Sequence, residues 1–179
     1  MDKKSTEFPL LKTKRLILRQ LTDQDINEVH ILRSDPKVNK YLDRSQSQTI
    51  DDSLKFITAI NSGYNEGKVN YWAITIKDSK NLVGTICLFD TSDTLKSGEI
   101  GFELLPEFQN KGYMTEAVLR IIEFAFRSIG LVKIVATVHR SNQSSLRLLE
   151  KLNFKQVDTG SNENHDLLVF HLNENLSDK

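Results

Sequence analysis

The stretch of sequence that most constrains the fold runs from Pro106 to Ile129, where a short polar loop leads into a long amphipathic segment. Apolar residues recur there at positions 114, 117, 118, 121, 122, 125 and 129, and this spacing predicts a helix from Met114 to Ile129. A strand-like segment from Glu99 to Leu105 comes directly before the loop. Because a helix with so wide an apolar stripe has to cover another layer, we expect it to pack against a sheet that contains this strand.

The rest of the chain alternates between strand-like and helix-like segments. Thr22 and Asp25 have the spacing of a capping box and predict a helix that runs to about Arg33. Further strands are predicted at 15–19, 69–76, 82–89, 131–138, 154–157 and 167–172, and further helices at 35–41, 50–64 and 144–152. A length of 179 residues predicts about one domain, and the alternation predicts a mixed α/β fold.

The charge balance limits the partners of the chain. It carries 24 Lys plus Arg against 24 Asp plus Glu, with a pI near 6.9. Proteins that bind nucleic acid by neutralising its phosphates carry a basic excess, so we expect no nucleic-acid partner.

The cysteine count and the absence of long apolar runs bear on the cellular compartment of the protein and on whether it binds a metal or a membrane. Cys87 alone can form neither an internal disulfide nor a thiolate metal site, and its strand-like neighbours predict a buried packing role. No His, Cys and carboxylate spacing resembles a zinc site. The sequence has no run of 18 apolar residues and no signal-peptide core at its start. We therefore expect a cytoplasmic protein without a metal or a membrane partner.

The loop before the long helix has the composition of an anion site. Successive backbone N–H groups at the start of a helix attract a phosphate without any basic side chain, and Gly112 allows close approach. The loop has one Gly, whereas a dinucleotide fingerprint needs three and a P-loop needs Gly-Lys followed by Ser or Thr. The loop therefore does not predict ATP or NAD, and by itself a helix preceded by one Gly is more often plain architecture.

A second segment changes this interpretation. After the next predicted strand comes Asn142-Gln-Ser-Ser145, followed by a helix and Phe154. The order of strand, Gln-x-x-Gly loop, helix, strand, Asn-x-x-Ser helix and Phe resembles the GNAT superfamily of acyl-CoA-dependent N-acetyltransferases. Three further motifs are similar to its ribosomal-protein N-terminal (alanine/serine) acetyltransferase branch: Thr13-Lys-Arg15-Leu-Ile-Leu-Arg19, Glu99-Ile-Gly101 and Asn110-Lys-Gly112-Tyr113.

The resemblance spans about residues 12–172 and implies a fold. We expect a single GNAT-like domain over residues 12–173, between polar segments at 1–11 and 174–179. Its central sheet should be twisted and mostly antiparallel, with about six or seven strands that splay at the cofactor site and helices on its sides.

Three positions depart from the superfamily pattern. Asn110 replaces the usual first Gly of the loop, Met114 stands where many members have Gly or Ala, and Asn153 replaces the Gly before Phe154. Asn adopts positive φ more readily than most residues, and it is the usual second choice after Gly just beyond a helix. The replacement at 153 is therefore physically mild, whereas Asn110 could narrow the loop although its backbone amide can still point inward.

The resemblance also implies where acetyl-CoA binds. Its pyrophosphate would lie on the amides of residues 109–114, and its pantetheine arm would pair with Phe102–Leu104 like an added strand where the strands 99–105 and 131–138 splay. Asn142 would contact the arm from the other side. The residues implied in cofactor binding are Phe102, Glu103, Leu104, Gln109, Asn110, Lys111, Gly112, Tyr113, Met114, Asn142 and Ser145.

The implied reaction is direct attack of an amine on the thioester. A main-chain N–H near Leu104 would polarise the carbonyl, and Ser145 would donate to the CoA sulfur, unless it only caps a helix. By strand period, Glu99 and Glu103 share one face. Glu99 is favoured to accept the amine proton, through water, with Glu103 second, and either acid could instead pair with a neighbouring Lys or Arg.

The acceptor follows from the weakness of these bases. An α-amine has a pKa of about 7.7 to 8.0 against about 10.4 for Lys, a gap worth about 3.5 kcal/mol in the population of the neutral amine. With no His or Cys placed by a motif, we expect a protein N-terminal α-amine. The alternatives are a small amine, such as a polyamine, amino acid or antibiotic, and a non-catalytic acyl-CoA-binding module. Monomer and homodimer are both open.

Overall fold

A computed structural model describes residues 7–158 and 166–174. Within them, eight strands form one sheet: β1 (Leu11–Lys12), β2 (Leu16–Gln20), β3 (Val69–Ile76), β4 (Leu82–Ser92), β5 (Ser97–Leu104), β6 (Lys133–His139), β7 (Lys155–Val157) and β8 (Leu167–Asn173). The helices are α1 (Ile26–Ser34), α2 (Pro36–Asn39), α3 (Ile50–Asn65), α4 (Tyr113–Glu123) and α5 (Gln143–Lys151). A π-helical segment, Phe124–Ile129, continues α4 over the last part of the predicted long helix.

The strand order β1-β2-β3-β4-β5-β6-β8-β7 confirms a mostly antiparallel sheet. Only the pair β5 and β6 is parallel among the described strands, and it is short: Ser97, Gly98 and Glu99 face Lys133, Ile134 and Val135. Beyond Glu99 the two strands separate, so the predicted splay is present. The strand beyond the six or seven expected is β1, whose two residues carry no periodic signal.

Helices cover both faces of the sheet. On one face, Ala117, Val118 and Ile121 of α4 join a buried cluster with Trp72 of β3 and Ile100 of β5. On the other face, a second cluster brings Val29 and Leu32 of α1 and Ile57 of α3 against Tyr71 and Ala73 of β3. The apolar stripe of α4 thus packs on the sheet as predicted.

Part of the predicted polar N-terminal segment is packed against the core. Leu11 is buried, and the ring of Phe8 lies 5.8 Å from that of Trp72. The indole of Trp72 donates to the carbonyl of Pro9 over 2.8 Å. Residues 1–6 and 175–179, which complete the two predicted polar segments, lie outside the described residues.

The predicted caps are in place. Thr22 and Asp25 form a capping box, although a turn of 3-10 helix over Asp23–Asp25 precedes α1. Asn153, just beyond α5, has a φ of +63°, as expected of a residue that stands in for Gly there.

Candidate active site

A cleft of about 430 Å³ opens where β5 and β6 separate. Its walls come from the end of β5, the loop before α4, the first turns of α4 and α5, and α2 together with Tyr41 and Leu42. Every residue implied in cofactor binding lines this cleft except Lys111. Of the implied catalytic residues, Glu103 and Ser145 line it and Glu99 does not. The sequence motifs therefore meet at one place, and the binding roles of these residues stay predictions.

The loop before α4 leaves its amides unused. Asn110 and Gly112 both adopt left-handed conformations, with φ of +60° and +78°, and Gly112 forms the N-cap of α4. In the described part of the chain, no acceptor bonds to the backbone N–H groups of residues 110–115. These free donors at a helix N-terminus suit the phosphates of a cofactor, and Asn110 follows the expected positive φ.

Arg15 of the segment before β2 holds this loop from behind. Its guanidinium Nη1 donates to the carbonyl of Lys111 over 3.0 Å, and its Nε lies 2.7 Å from Oε2 of Glu116. The backbone N–H of Arg15 and the hydroxyl of Thr13 both donate to Oε1 of Glu116. A Cβ added at Gly112 would lie 3.3 Å from Nη2 of Arg15. These contacts connect the loop to the segment before β2. They come from Thr13 and Arg15, which belong to a sequence motif to which the sequence analysis assigned no function.

The electrostatics of Glu116 reflect this fastening. Burial raises the pKa of this carboxyl, but the hydrogen bonds from Thr13 and Arg15 outweigh burial and lower the pKa below its usual value. A carboxylate in the first turn of a helix also interacts favourably with the helix dipole. Glu116 lies one turn after Gly112, and this position in the first turn of α4 is the sequence signal from which its contact with the loop region could have been predicted.

At the start of α5 the structure shows which residue caps the helix, a role that the sequence left open for Ser145. The side chain of Asn142 accepts from the backbone N–H of Ser145 over 3.2 Å, so Asn142 is the capping residue. Within the described residues the hydroxyl of Ser145 has no hydrogen-bond partner, and it lines the cleft. Its hydroxyl is thus available to a ligand.

The strand β5 keeps its alternation. Ile100 and Leu104 are buried toward α4, which leaves Glu99, Gly101 and Glu103 on the opposite face. Glu99 lies at the last position where β5 still pairs with β6, three residues before Phe102, where the lining of the cleft begins on this strand. The two acids therefore share a face, as predicted, and differ in surroundings.

Glu103 lies in a buried polar cluster. Its side chain is 7% exposed; Oε2 lies 2.6 Å from Nη2 of Arg44, and Oε1 accepts from the hydroxyls of Thr85 (3.0 Å) and Tyr71 (3.5 Å). The two atoms of the Arg44 contact meet at an angle outside hydrogen-bond geometry, so the contact is one of charge. Glu103 therefore forms an ion pair, the alternative that the sequence left open for each acid. Its partner, Arg44, lies in the segment after α2, so the spacing of residues along β5 could not predict it.

Cys87, on the strand next to Glu103, is inert at neutral pH. Burial and the charge of Glu103 raise the pKa of this thiol to about 12. Cys87 packs against the second buried cluster as a partly buried residue, so the predicted packing role is confirmed and full burial is not.

Basic side chains line the cleft where the sequence singled out none. Lys37 of α2 and Arg147 and Lys151 of α5 point to one cavity, and in the described residues none of them forms an ion pair. Their charge suits a ligand with several phosphates. Within residues 7–158 and 166–174, no group of three or more His, Cys, Asp or Glu side chains is arranged to hold a metal ion. None of the helices there combines the length and hydropathy that a bilayer crossing requires.

Comparisons with known proteins show the family of the chain. Residues 15–155 match the family model described as an acetyltransferase (GNAT) domain. The chain is 34% identical over 149 residues to the uncharacterized N-acetyltransferase YoaA of Bacillus subtilis, an alignment that covers 83% of this chain and 84% of that protein. The chain belongs to the GNAT acetyltransferase family and is an acyltransferase.

Two solved structures share the fold at lower identity. One is RimL, described as a ribosomal L7/L12 alpha-N-protein acetyltransferase in complex with coenzyme A: TM-score 0.81, 16% identity, 92% of this chain and 98% of that chain. The other is the ribosomal-protein-S5-alanine acetyltransferase from Vibrio fischeri: TM-score 0.77, 17% identity, 92% of this chain and 96% of that chain. GNAT acetyltransferases use acetyl-CoA, and the free amides at residues 110–115 fit its phosphates.

Proposed function

We propose that this acetyltransferase moves the acetyl group of acetyl-CoA to the α-amine of a protein N-terminus, of the ribosomal-protein type. The observation that carries the proposal is the cleft at the splay of β5 and β6, with unused amides at one end and acidic residues of β5 beside it. The names of the structural neighbours RimL and the S5-alanine enzyme support the acceptor class.

The chain offers a distinct group for each part of the cofactor. The amides of residues 110–115 would hold the pyrophosphate, and Phe102–Leu104 would pair with the pantetheine arm along the edge that β6 leaves free. The side chain of Gln109 is occupied, since it donates to the carbonyl of Leu104 over 2.9 Å, so this residue would contribute through its backbone. When bound, acetyl-CoA supplies the acetyl thioester on which the amine reacts.

We favour Glu99 as the acid that accepts the amine proton, because its carboxylate is the less occupied of the two. Arg44 takes one oxygen of Glu103 while Thr85 and Tyr71 take the other, whereas the described residues contain no ion-pair partner of Glu99. Because Glu99 lies three residues before the first lining residue of β5, about 10 Å along the strand, a chain of water molecules would relay the proton. Glu103 is the second candidate.

Ser145 would serve the departing sulfur. As the C–N bond forms and the C–S bond breaks, negative charge develops on that sulfur, and the free hydroxyl of Ser145 can donate to it. Asn142 would keep this hydroxyl in place, because its own side chain caps α5 through the N–H of Ser145.

The lining of the cleft supports an α-amine as the acceptor. Among the described residues, neither His nor Cys lines it, and the carboxylate found there, that of Glu103, is a weak base. An α-amine, with a pKa of about 7.7 to 8.0, is neutral in a useful fraction at neutral pH, whereas a Lys side chain is not.

The test follows thiol release from acetyl-CoA with a panel of peptides, free Lys side chains, polyamines and amino acids. We expect release with peptide N-termini, and a kcat lowered about 10-fold or more in Ser145→Ala with little change in acetyl-CoA affinity. The Cys87 thiol should not react in this assay. Release only with small amines, or acetyl-CoA binding without any acceptor-dependent release, would contradict the proposal.

A further inference from the structure

On the face of the sheet that α1 and α3 cover, Arg33 forms no ion pair with the described residues. It lies in the last turn of α1, half-buried, with its guanidinium carbon 3.9 Å from the ring centre of Phe56 on α3. Its guanidinium donates no hydrogen bond within the part of the chain that the structure describes, although the charge of Glu103 is near enough to act on it. Burial and then the nearby charge of Arg44 lower the pKa of Arg33. A stacked guanidinium presents its donors at the edge of the ring face, toward whatever enters beside it.

Arg44 adds a second charge whose donors are only partly used. Its Nε donates to the side chain of Asn39 over 2.8 Å, but its buried Nη2 has no hydrogen-bond partner among the described residues, although it lies against Glu103. Two guanidinium groups therefore face one carboxylate. This leaves one positive charge in a half-buried setting without an acidic partner, an arrangement that favours an incoming anion.

A second cavity, of about 370 Å³, gives a ligand access to Arg33. Its other lining residues are Ser45, Gln46, Ser47, Asp52 and Lys55. The carboxylate of Asp52 accepts from the backbone N–H groups of Gln48 (3.0 Å) and Thr49 (2.9 Å), where it caps α3. Lys55 pairs with Asp51 over 2.6 Å. Of the two cations among the described residues that line this cavity, Arg33 is therefore the one without an ion pair.

We propose that Arg33, with the charge of Arg44 behind it, binds a carboxylate of the acceptor. The planar guanidinium would take both oxygens of that carboxylate side by side, a geometry that a Lys side chain cannot supply. The inference rests on the proposed function, since it assigns the acceptor of the same active site to acidic peptides.

The position of Arg33 favours an acidic side chain a few residues into a peptide. Two rings separate Arg33 from the acids of β5: Phe56 is 3.9 Å from the guanidinium, Phe56 and Tyr71 are 5.5 Å apart, and the hydroxyl of Tyr71 is 3.5 Å from Glu103. In a free amino acid the carboxylate lies one carbon from the amine. In an extended peptide each residue adds about 3.3 to 3.6 Å, so an acidic residue at the second or third position can reach this far.

The experiment measures thiol release from acetyl-CoA with pairs of peptides that differ only by Glu or Gln at the second or third residue. For the wild-type chain we expect a KM lower on the order of 10- to 100-fold for the Glu peptide, the usual range for a charge-assisted contact. Added salt should reduce this preference. In Arg33→Gln the ratio of the two KM values should fall toward one.

The matched control is Lys55→Gln, which removes the other cation that lines the same cavity. Because Lys55 is exposed and already paired with Asp51, this variant should keep the preference for the Glu peptide. Arg33→Lys keeps the charge but loses the paired donors, so its preference should lie between those of wild type and Arg33→Gln. Thermal unfolding and acetyl-CoA affinity, measured on each variant, report whether the fold is retained.

Each result has a definite reading. A wild-type chain that acetylates Glu and Gln peptides equally, or an Arg33→Gln chain that keeps the preference, would overturn the anion site while leaving N-terminal acetylation in place. Efficient release with a free amino acid but not with its amide would move the bound carboxylate from a peptide side chain to an α-carboxylate. No release with any peptide would instead reject the proposed function itself.

Discussion

Two regions of the cleft differ in chemistry. The loop before α4 presents free backbone amides, and Asn110 and Gly112 there adopt positive φ. At the end of β5 the groups are buried side-chain charges, centred on Arg44 and Glu103. The first arrangement is built by a few consecutive residues, and the second by segments far apart in the chain.

This difference bears on how each region tolerates change. A backbone site depends on conformation and space, so it should be sensitive to a side chain added at Gly112 and insensitive to most exchanges of exposed side chains around it. A cluster of buried charges depends on compensation, so removing one partner leaves the other uncompensated. Substitutions at Gly112, Glu103 and Glu116 distinguish these two kinds of dependence.

Gly112→Asp should abolish the backbone site. It adds a negative charge where the pyrophosphate is expected, at a φ of +78° and with its Cβ 3.3 Å from Arg15. We expect acetyl-CoA affinity to fall on the order of 1,000-fold, about 4 kcal/mol, by titration calorimetry. Gly130→Asp is the matched control: its φ is +80°, no atom lies within 4 Å of the added Cβ, and it lies at the far end of the helical segment. Equal losses in both variants would show that backbone strain, and not the site, is responsible.

Glu103→Gln should break the charge cluster at the end of β5. With Arg44 left beside a neutral amide, we expect the free energy of unfolding to fall by about 2 to 3 kcal/mol in urea denaturation. Glu99→Gln, on the same face of the same strand, should change it by less than about 1 kcal/mol. If the two variants are equally destabilised, the ion pair with Arg44 does not stabilise the fold.

Glu116→Gln tests the fastening of the loop to β2. Without the carboxylate that accepts from Thr13 and Arg15, the loop should be less well held, and acetyl-CoA affinity should fall about 10-fold. Glu123→Gln is the control, since this exposed acid of α4 pairs only with Arg120 and Arg127 on the surface and should leave affinity unchanged.

The same variant carries a pH signature. Because the folded chain lowers the pKa of Glu116 below its ordinary value of 4.5, its stabilising effect is present above about pH 4.5 and is lost as the pH falls through the lowered pKa. The difference in free energy of unfolding between wild type and Glu116→Gln should therefore be full at pH 7 and shrink in acid. A difference that persists unchanged at pH 3 would contradict the assignment.

Most of the fold was predictable because its signals are local. The stripe of α4, the capping box at Thr22 and the Asn after α5 each express a preference of neighbouring residues, and each is found where the sequence puts it. The two-residue strand β1 and the π-helical end of α4 were missed, because the sheet edge and packing decide them, not periodicity.

The candidate site also has one part that was predictable from adjacent residues and another that was not. Glycine, asparagine and the helix start between residues 109 and 115 mark the amide cradle in the sequence itself, since backbone conformation follows from adjacent residues. The partners of Glu103 do not follow from spacing along β5. Arg44 comes from the segment after α2, and Thr85 from the neighbouring strand.

The order of strands and helices along the chain, the free amides before α4 and the family motifs depend on residues close together in the chain, so they were predictable. Contacts between distant segments set the bond from Arg15 to Glu116, the ion pair of Arg44 with Glu103, and the stacking of Arg33 on Phe56 without an ion pair of its own among the described residues. Those outcomes depend on which charges are brought within a few ångströms of each other after the chain has folded, when burial makes an unpaired charge expensive and a paired one secure.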